Sequence, residues 1–255
     1  MDATDASLTA VDYQGKALDC RRCPVRAAHP AVECALGHSC REDRYAPRVR
    51  RFFVDNPELA DESLSHPYFE VRAIAARHAN IFRLSALIHD EDETVRASVA
   101  MRVPKRLLSR LVGDSDREVR IRAVQRLPPD ELWPLRSDPD YYVRVLVARN
   151  LPISRLPAMA RDVDVQVRLE VARRLRPSQL HLLAFDVEVD VRRVVAARCE
   201  ASLLGILAQD ASWLVREQVA GRADGTLLKA LCCDEDVEVE SRARSRLAEL
   251  ARNEP

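Results

Sequence analysis

The chain has 255 residues, and its forty basic residues balance its forty acidic ones, so the formal net charge is zero. This balance argues against a protein that is driven onto nucleic acid or an anionic membrane by its overall field. Only six glycines occur, which disfavours phosphate-binding loops and many-turned β folds because their backbones need glycine. The chain has no long uninterrupted apolar run, and its first residues are polar. We therefore expect neither a membrane-spanning helix nor a signal peptide.

Four of the seven cysteines lie close together near the N-terminus, at Cys20, Cys23, Cys34 and Cys40. In a chain without an export signal, a close group of thiols is more typical of a metal site than of disulfide bonds. The spacing C-x2-C-x10-C-x5-C offers four thiolate ligands, which suit either Zn²⁺ or an iron–sulfur cluster. These cysteines are the predicted metal ligands of a small domain over residues 1–46, and their spacing leaves the choice of metal open.

Two weak features of this segment favour iron–sulfur. Pro24 follows Cys23 directly, as in the Cys-Pro pair of ferredoxins. Four arginines lie near the cysteines, namely Arg21, Arg22, Arg26 and Arg41. Their positive charge favours thiolates and would offset the negative charge of a cluster. His29 and His38 lie among the cysteines and could replace a ligand. With four thiols available, we interpret both histidines as ordinary loop residues.

Residues 47–65 form an imperfect copy of the unit that repeats through the rest of the chain. The segment starts at Pro47, contains the adjacent Phe52 and Phe53, and is interrupted at Asn56 by a following proline. No flexible Gly/Ser linker follows it. We predict a unit that caps the repeats and connects them to the cysteine domain.

Residues 66–255 contain about eight tandem units with a period of 24 residues and no insertion. The Val-Arg dipeptide that marks each unit, which becomes Val-Glu in the last, starts at Val71, Val95, Val119, Val143, Val167, Val191, Val215 and Val239. An aspartate column contains Asp90, Asp114, Asp138, Asp162, Asp186, Asp210 and Asp234. One leucine column contains Leu84, Leu108, Leu132, Leu156, Leu180, Leu204 and Leu228. A second contains Leu87, Leu111, Leu135, Met159, Leu183, Leu207 and Leu231.

The apolar spacing within one unit is helical. Val95, Val99 and Val103 fall on one stripe of an α-helix, and Asp92 precedes that stripe as a predicted N-cap. Equivalent caps are predicted at Asp116, Asp140, Asp164 and Asp236. Prolines that stop the helix stand at Pro104, Pro128 and Pro152. We expect a helix of about 11–12 residues in each unit, followed by a shorter 3₁₀ or α segment.

Arginine supplies nearly all of the basic residues, because only three lysines occur. A row of guanidinium groups could bind phosphate or carboxylate ligands. The interpretation we favour is structural: arginines pair with the aspartate column and with helix ends. Asp92 and Arg96 are spaced for a pair within one helix. Basic residues expected at the negative end of each helix are Arg102, Arg126, Arg174, Arg198, Arg222 and Arg246.

The Val-Arg, Leu-x-x-Leu and Asp columns over residues 66–245 resemble the leucine-rich repeat variant family. The resemblance implies repeats that alternate an α-helix with a 3₁₀-helix in a right-handed superhelix. The expected fold is therefore an all-α solenoid of 24-residue repeats behind a small N-terminal cysteine domain. Members of this family carry a 4Fe–4S cluster ahead of the repeats, so the resemblance implies that cofactor at Cys20, Cys23, Cys34 and Cys40, with zinc as the alternative.

The sequence contains none of the catalytic motifs G-x-S-x-G and H-E-x-x-H, and we expect a protein that is not an enzyme. The expected function is a cytoplasmic iron–sulfur repeat protein whose solenoid surface binds a protein partner, with a cluster used in electron transfer, redox sensing or structure. Two alternatives stay open: a zinc-stabilised adaptor and a helical-repeat protein that binds nucleic acid. Few aromatic residues are available to stack bases, which makes nucleic acid the less favoured partner.

Overall fold

The structure is a computed structural model that describes residues 9–253. Residues 1–8, which include the polar N-terminus, and residues 254–255 lie outside the described residues. Residues 9–253 contain α-helices α1 (Pro24–Ala28), α2 (Ala46–Asp55), α3 (Phe69–Ala75), α4 (Glu93–Ala100), α5 (Arg117–Val124), α6 (Tyr141–Asn150), α7 (Val165–Arg174), α8 (Val189–Arg198), α9 (Ala201–Leu207), α10 (Trp213–Ala220), α11 (Gly225–Leu231) and α12 (Val237–Asn253). Shorter 3₁₀ segments are Pro57–Leu59, Glu62–Ser65, Leu84–Leu87, Lys105–Arg110, Pro129–Glu131, Trp133–Ser137, Leu156–Met159 and Pro177–Leu183.

The chain divides after Leu127 into two compact units. In the first unit, α2, α3, α4 and α5 pack side by side in chain order, and in the second unit α6, α7, α8, α10 and α12 do the same. The short helical and 3₁₀ segments form a second layer within each of these two compact units. The valines of the Val-Arg column and the residues of both leucine columns are buried, so the core lies between the two layers. The predicted all-α repeat fold is confirmed.

The predicted connecting unit over residues 47–65 also has the two-layer form. It consists of α2 followed by the two 3₁₀ segments Pro57–Leu59 and Glu62–Ser65. Phe52 and Phe53 on α2 are buried, and α2 packs against α3 of the first complete repeat. The repeat architecture therefore begins before the Val-Arg column does.

Aspartates cap the repeat helices as predicted. The Asp92 carboxylate accepts hydrogen bonds from the backbone N–H groups of Thr94 and Val95, at 2.8 and 3.4 Å. A carboxylate accepts the corresponding N–H two residues further along at Asp116, Asp140, Asp164 and Asp236. These contacts satisfy N–H groups that the first turn of a helix leaves without a partner.

The predicted helix length of 11–12 residues is wrong, because helices α3 to α8 and α10 have only seven to ten residues. Helix α4 ends at Ala100, whose carbonyl would next accept from residue 104. That residue is Pro104, which has no N–H to donate. The Nη1 of Arg126 in the following repeat donates to this carbonyl instead, at 2.8 Å.

Other arginines of the same column also donate to a carbonyl near the end of the helix in the preceding repeat. They are Arg102, Arg174, Arg198 and Arg222. The sequence correctly predicts that these side chains meet negative helix ends. It assigns each of them to its own helix, whereas they bind the helix of the repeat before. Each such contact therefore joins two neighbouring repeats.

The arginine of the Val-Arg dipeptide joins its own repeat to the next one. The Nε and Nη2 atoms of Arg96 donate to the two carboxylate oxygens of Asp114, at 2.7 and 2.8 Å. Its Nη1 donates to the carbonyls of Asp90 and Glu91 in its own turn, at 2.9 and 3.1 Å. Equivalent two-bond pairs are Arg72–Asp90, Arg144–Asp162, Arg168–Asp186, Arg192–Asp210 and Arg216–Asp234. We call these contacts the Arg–Asp ladder.

The ladder corrects one prediction and confirms another. The expected pair between Asp92 and Arg96 does not form, because Arg96 binds Asp114 and Asp92 caps its helix. The structural interpretation of the arginines is confirmed by the ladder and by the contacts to helix ends. Each ladder aspartate also shapes its own turn, as when Asp114 accepts the N–H of Asp116 at 2.9 Å.

The ladder places charges where little water reaches them. The paired side chains are between 5% and 14% exposed. Desolvation of this kind is offset only when the geometry is good and the remaining polar atoms are satisfied, and the two-bond arginine–carboxylate arrangement meets that condition. The hydrogen-bonded Arg216 guanidinium holds the pKa of Asp234 below its usual range.

A pair of substitutions around Arg216 separates the ladder contact from ordinary surface charge. We expect Asp234→Asn to lower the free energy of unfolding by about 2–4 kcal/mol, because it leaves a largely buried guanidinium without its counter-charge. Glu235→Gln removes a carboxylate that is 88% exposed and 3.4 Å from the same guanidinium. We expect Glu235→Gln to lower the free energy of unfolding by less than about 0.5 kcal/mol. Urea unfolding followed by circular dichroism measures both, and equal losses would contradict a stabilising role for the ladder.

Acid should weaken the ladder in a defined direction. The pKa of Asp234 is lower in the folded chain than the usual value of about 3.9, so its stabilising contribution is present above about pH 4 and is lost as the pH falls through the folded-state pKa. We expect the melting temperature of the wild type to decline below about pH 4. In Asp234→Asn that decline should be shallower. Thermal melts between pH 7 and pH 2.5 test this, and parallel profiles would speak against it.

Candidate metal centre

The first cysteine pair lies on a turn that leads into α1. The backbone N–H of Arg22 donates to the carbonyl of Asp19 at 3.1 Å, and Cys23 is the residue that precedes the helix. Pro24 occupies the first helical position, where its missing N–H needs no partner. The Cys-Pro pair therefore determines where α1 begins and keeps Cys20 and Cys23 at its N-terminal end.

The second pair flanks a tight hairpin. Ala35 and Ser39 exchange two backbone hydrogen bonds, at 2.9 and 2.8 Å, and Gly37 between them has a φ of +74°. Glycine suits this position because other residues rarely adopt a positive φ. Since Cys34 and Cys40 directly flank the bonded pair, the hairpin brings them to neighbouring positions.

Arg26 on α1 connects the two cysteine pairs. Its Nε donates to the Sγ of Cys34 at 3.1 Å and its Nη2 donates to the Cys34 carbonyl at 2.8 Å. The pKa of Arg26 is raised, first by this hydrogen bond and the charge of Cys34, and then by the charges of Cys20 and Cys23. One predicted ligand thus contacts this guanidinium group, and two more lie within reach of its charge.

Cys40, the fourth predicted ligand, is partly buried. The pKa of Cys40 is raised to about 12, mainly by burial; a hydrogen bond from the backbone of Glu42 opposes this shift, and the nearby Cys23 adds to it. A thiol in this environment is protonated until a metal binds, because a metal ligand must be the thiolate. The influence of Cys23 brings the fourth cysteine into the same electrostatic neighbourhood as the other three.

The donor set matches the ligands that an iron–sulfur cluster takes. All four cysteines are free and only partly exposed. Among residues 9–253, no three Cys, His, Asp or Glu side chains converge closely enough to hold one metal ion. Four cysteine thiolates are the ligands of a four-iron cluster.

The sequence offered no reason to select Asn56, which holds the backbone next to Cys34. Its Oδ1 accepts the Glu33 N–H at 2.8 Å, and its Nδ2 donates to the Glu33 carbonyl at 2.7 Å. The Asn56 side chain is buried and comes from the end of α2. It occupies the position at which a later unit has Pro104, and this departure from the repeat is the one sequence signal that could have revealed its role.

His29 binds a carboxylate instead of approaching the cysteines. Its Nε2 lies 3.1 Å from Glu62, which also accepts a hydrogen bond from Arg41 at 2.9 Å. Arg41 donates to Glu42 as well, and the Nε2 of His66 lies 3.1 Å from Glu42. Burial would raise the pKa of Glu42, but the hydrogen bonds from His66 and Arg41 outweigh it and lower that pKa. This network joins the cysteine segment to the first complete repeat.

His38 belongs to the hairpin turn between the second pair of cysteines. Its side chain is exposed, and its carbonyl accepts a hydrogen bond from the Nη1 of Arg51 at 3.4 Å. Within the described residues, no hydrogen bond links either predicted alternative ligand, His29 or His38, to a cysteine. Both positions agree with their interpretation as loop residues.

Comparison with known proteins gives three matches. Residues 10–62 match a family model described as "LRV protein FeS4 cluster". A Rhodobacter capsulatus protein described as an uncharacterized 27.7 kDa protein in the nifB 3' region is 51% identical over 94 residues, which is 37% of this chain and 38% of that relative. A solved structure described as a leucine-rich repeat variant with a novel repetitive structural motif is 39% identical, with a TM-score of 0.84, and the alignment covers 90% of this chain and 98% of the other.

This chain belongs to the leucine-rich repeat variant family. The matched segment over residues 10–62 is the iron–sulfur domain of that family, and the expected 4Fe–4S cofactor is shown in preference to zinc. That segment continues through α2, which carries Asn56. Among residues 9–253, none of the helices is long and apolar enough to cross a membrane.

Loss of the Asn56 amide should loosen the segment that carries Cys34. We expect Asn56→Ala to lower the free energy of unfolding by about 2 kcal/mol, because it leaves the Glu33 N–H and carbonyl without partners. The matched control is Asn80→Ala, one period later, where the side chain is exposed and bonds only to the N–H of Phe82 among described residues. That change should cost less than about 1 kcal/mol. Denaturant unfolding of both variants decides, and a larger loss in Asn80→Ala would refute the assignment.

Proposed function

We propose that this protein is a redox-linked scaffold in which Cys20, Cys23, Cys34 and Cys40 bind the 4Fe–4S cluster and the repeats bind a protein partner. The cluster supplies reversible one-electron chemistry when it is bound. The chain's own residues orient the ligands, reduce the access of water to Cys40 and attach the cysteine segment to the repeats. A change at the cluster can therefore be passed to the solenoid through direct contacts.

The observation that carries the ligand assignment is the position of Arg26. Its guanidinium binds Cys34 directly and is influenced by Cys20 and Cys23. Cys40 joins this group through its own interaction with Cys23. The other three cysteines of the chain, Cys199, Cys232 and Cys233, lie in the second unit at the far end of the sequence.

The surface of the second unit supports a protein partner. Val163, Phe185 and Val187 lie on the turns between repeats and are between 80% and 89% exposed. Large apolar side chains that are exposed near one another are typical of protein-binding surfaces. The ladder arginines, in contrast, bind carboxylates and carbonyls within the protein, which reduces the support for a nucleic-acid partner.

The proposal includes a role other than catalysis and a cytoplasmic location. The buried charged side chains Arg72, Arg144 and Arg168 each have a structural partner, so their burial needs no catalytic explanation. Free cysteines that assemble a cluster require a reducing compartment. We therefore place the scaffold in the cytoplasm.

Substitution of the predicted ligands tests the first half of the proposal. In protein purified without oxygen, we expect four irons and four acid-labile sulfides per chain and a broad absorbance near 400 nm. Serine at any of Cys20, Cys23, Cys34 or Cys40 should reduce the iron content by at least half. Cys233→Ser is the control, because that thiol is exposed and far along the chain, and its iron content should match the wild type. Full iron content in a ligand variant would remove that cysteine from the assignment.

Capture of a protein partner tests the second part of the proposal, that the repeats bind a protein. We expect the loaded protein to cross-link to a partner from the cells in which it is made, and the double variant Phe185→Ser, Val187→Ser to lose most of that product. Val237→Ser is the matched control, since Val237 is also exposed but lies at the start of α12. Equal loss in the control, or strongly salt-dependent binding to random oligonucleotides instead, would argue against this surface.

A further inference from the structure

Arg26 makes a contact that differs from those of the other arginines of this domain. It donates from Nε to the Cys34 sulfur and from Nη2 to the carbonyl of the same residue. Arg21 and Arg22 are exposed, as Arg26 itself is, but neither has a side-chain hydrogen bond or ion pair among the described residues. Arg41 binds Glu42 and Glu62. Arg26 therefore differs from Arg21, Arg22 and Arg41 in donating to a cysteine sulfur.

The contact is held in place from both sides. Arg26 lies in the last turn of α1, whose start is set by the Cys23-Pro24 pair. Asn56 fixes Glu33, the residue before Cys34, through two hydrogen bonds of 2.7 and 2.8 Å. Two side chains therefore hold Cys34: Arg26 contacts its sulfur, and Asn56 contacts the backbone of the preceding residue.

We propose that Arg26 is a positioning residue whose Nε–H bond to the Cys34 sulfur raises the reduction potential of the cluster. This inference rests on the proposed function, because it requires Cys34 to be a ligand. Hydrogen bonds to the ligand sulfurs are among the factors that set cluster potentials. One-electron reduction adds negative charge that spreads onto these sulfurs. A cationic donor stabilises the reduced form more than the oxidised form.

The Arg26 contact allows two effects on the cluster potential, that of a nearby positive charge and that of a directed hydrogen bond, to be measured separately. A positive charge near a cluster raises its potential through space, and a directed hydrogen bond adds to that effect. Arg22 lies in the same segment, carries the same charge and, within the described part of the chain, makes no bond to sulfur. Comparing Arg26 with Arg22 therefore distinguishes the bond from the charge.

The experiment is a redox titration of the full chain, loaded with its cluster and kept free of oxygen. Dithionite supplies one electron per cluster through soluble mediators, and the reduced cluster is measured by electron paramagnetic resonance. The variants are Arg26→Gln, Arg26→Lys, Arg22→Gln and Asn56→Ala, each checked for iron and sulfide content before titration.

We expect Arg26→Gln to retain its irons and to lower the equilibrium constant for reduction about tenfold, which is 59 mV for a one-electron couple. Arg26→Lys keeps the charge and should recover part of that loss. Arg22→Gln should shift the potential by less than half as much. Asn56→Ala, which keeps Arg26 but loosens the backbone next to Cys34, should lose iron faster in air and shift the potential less than Arg26→Gln does.

Three results would overturn the inference, and they have different meanings. If Cys34→Ser loses its cluster while Arg26→Gln has the wild-type potential and resonance signal, the ligand assignment stands and Arg26 has no influence. If Arg22→Gln shifts the potential as much as Arg26→Gln does, charge alone accounts for the shift and the Nε–H bond to Cys34 adds nothing. If Cys34→Ser keeps four irons and four sulfides, the proposed ligand set itself fails.

Discussion

The contact on which the rest of the structure depends is the one between the arginine of one repeat and the aspartate of the next. One guanidinium uses three nitrogens to bind the turn of its own repeat and the carboxylate of the following one, as Arg96 does with Asp114. A helix of seven to ten residues is too short to persist alone in water, so it needs a neighbour on each side. The ladder fixes the register between neighbours, and the valine and leucine columns then bury their apolar surface.

The fold could be predicted from the sequence because the repeat makes each column visible several times. Burial of Val95, capping by Asp92 and the second layer of short helices all follow from the spacing of residues within one unit. The spacing alone did not identify the partner of Arg96, because it offers both Asp92, one helical turn away, and Asp114, in the next repeat. The distance between repeats decides between them, and that distance is a property of the packing.

The metal centre was only partly predictable. Cysteine spacing and the family resemblance identify Cys20, Cys23, Cys34 and Cys40 as candidates, since thiols in a close group have few other uses in a reduced protein. The side chains that hold Cys34 were not identified for this role. Arg26 was predicted only as a source of positive charge, and Asn56 only as an interruption of a helix. Both act through hydrogen bonds that depend on how α1 and α2 lie against the hairpin, which no short-range spacing encodes.

The two outer positions of the ladder differ from the internal ones. His66 stands one period before Asp90 and pairs with Glu42 of the cysteine domain, while Glu240 takes the place of an arginine at the other end. Within each of the two compact units, in contrast, the paired internal repeats offer the same donor forward and the same acceptor backward. A whole unit that was duplicated or deleted between these ends would thus meet matching neighbours, which would let the length of such a protein change during evolution in complete modules without the invention of a new junction.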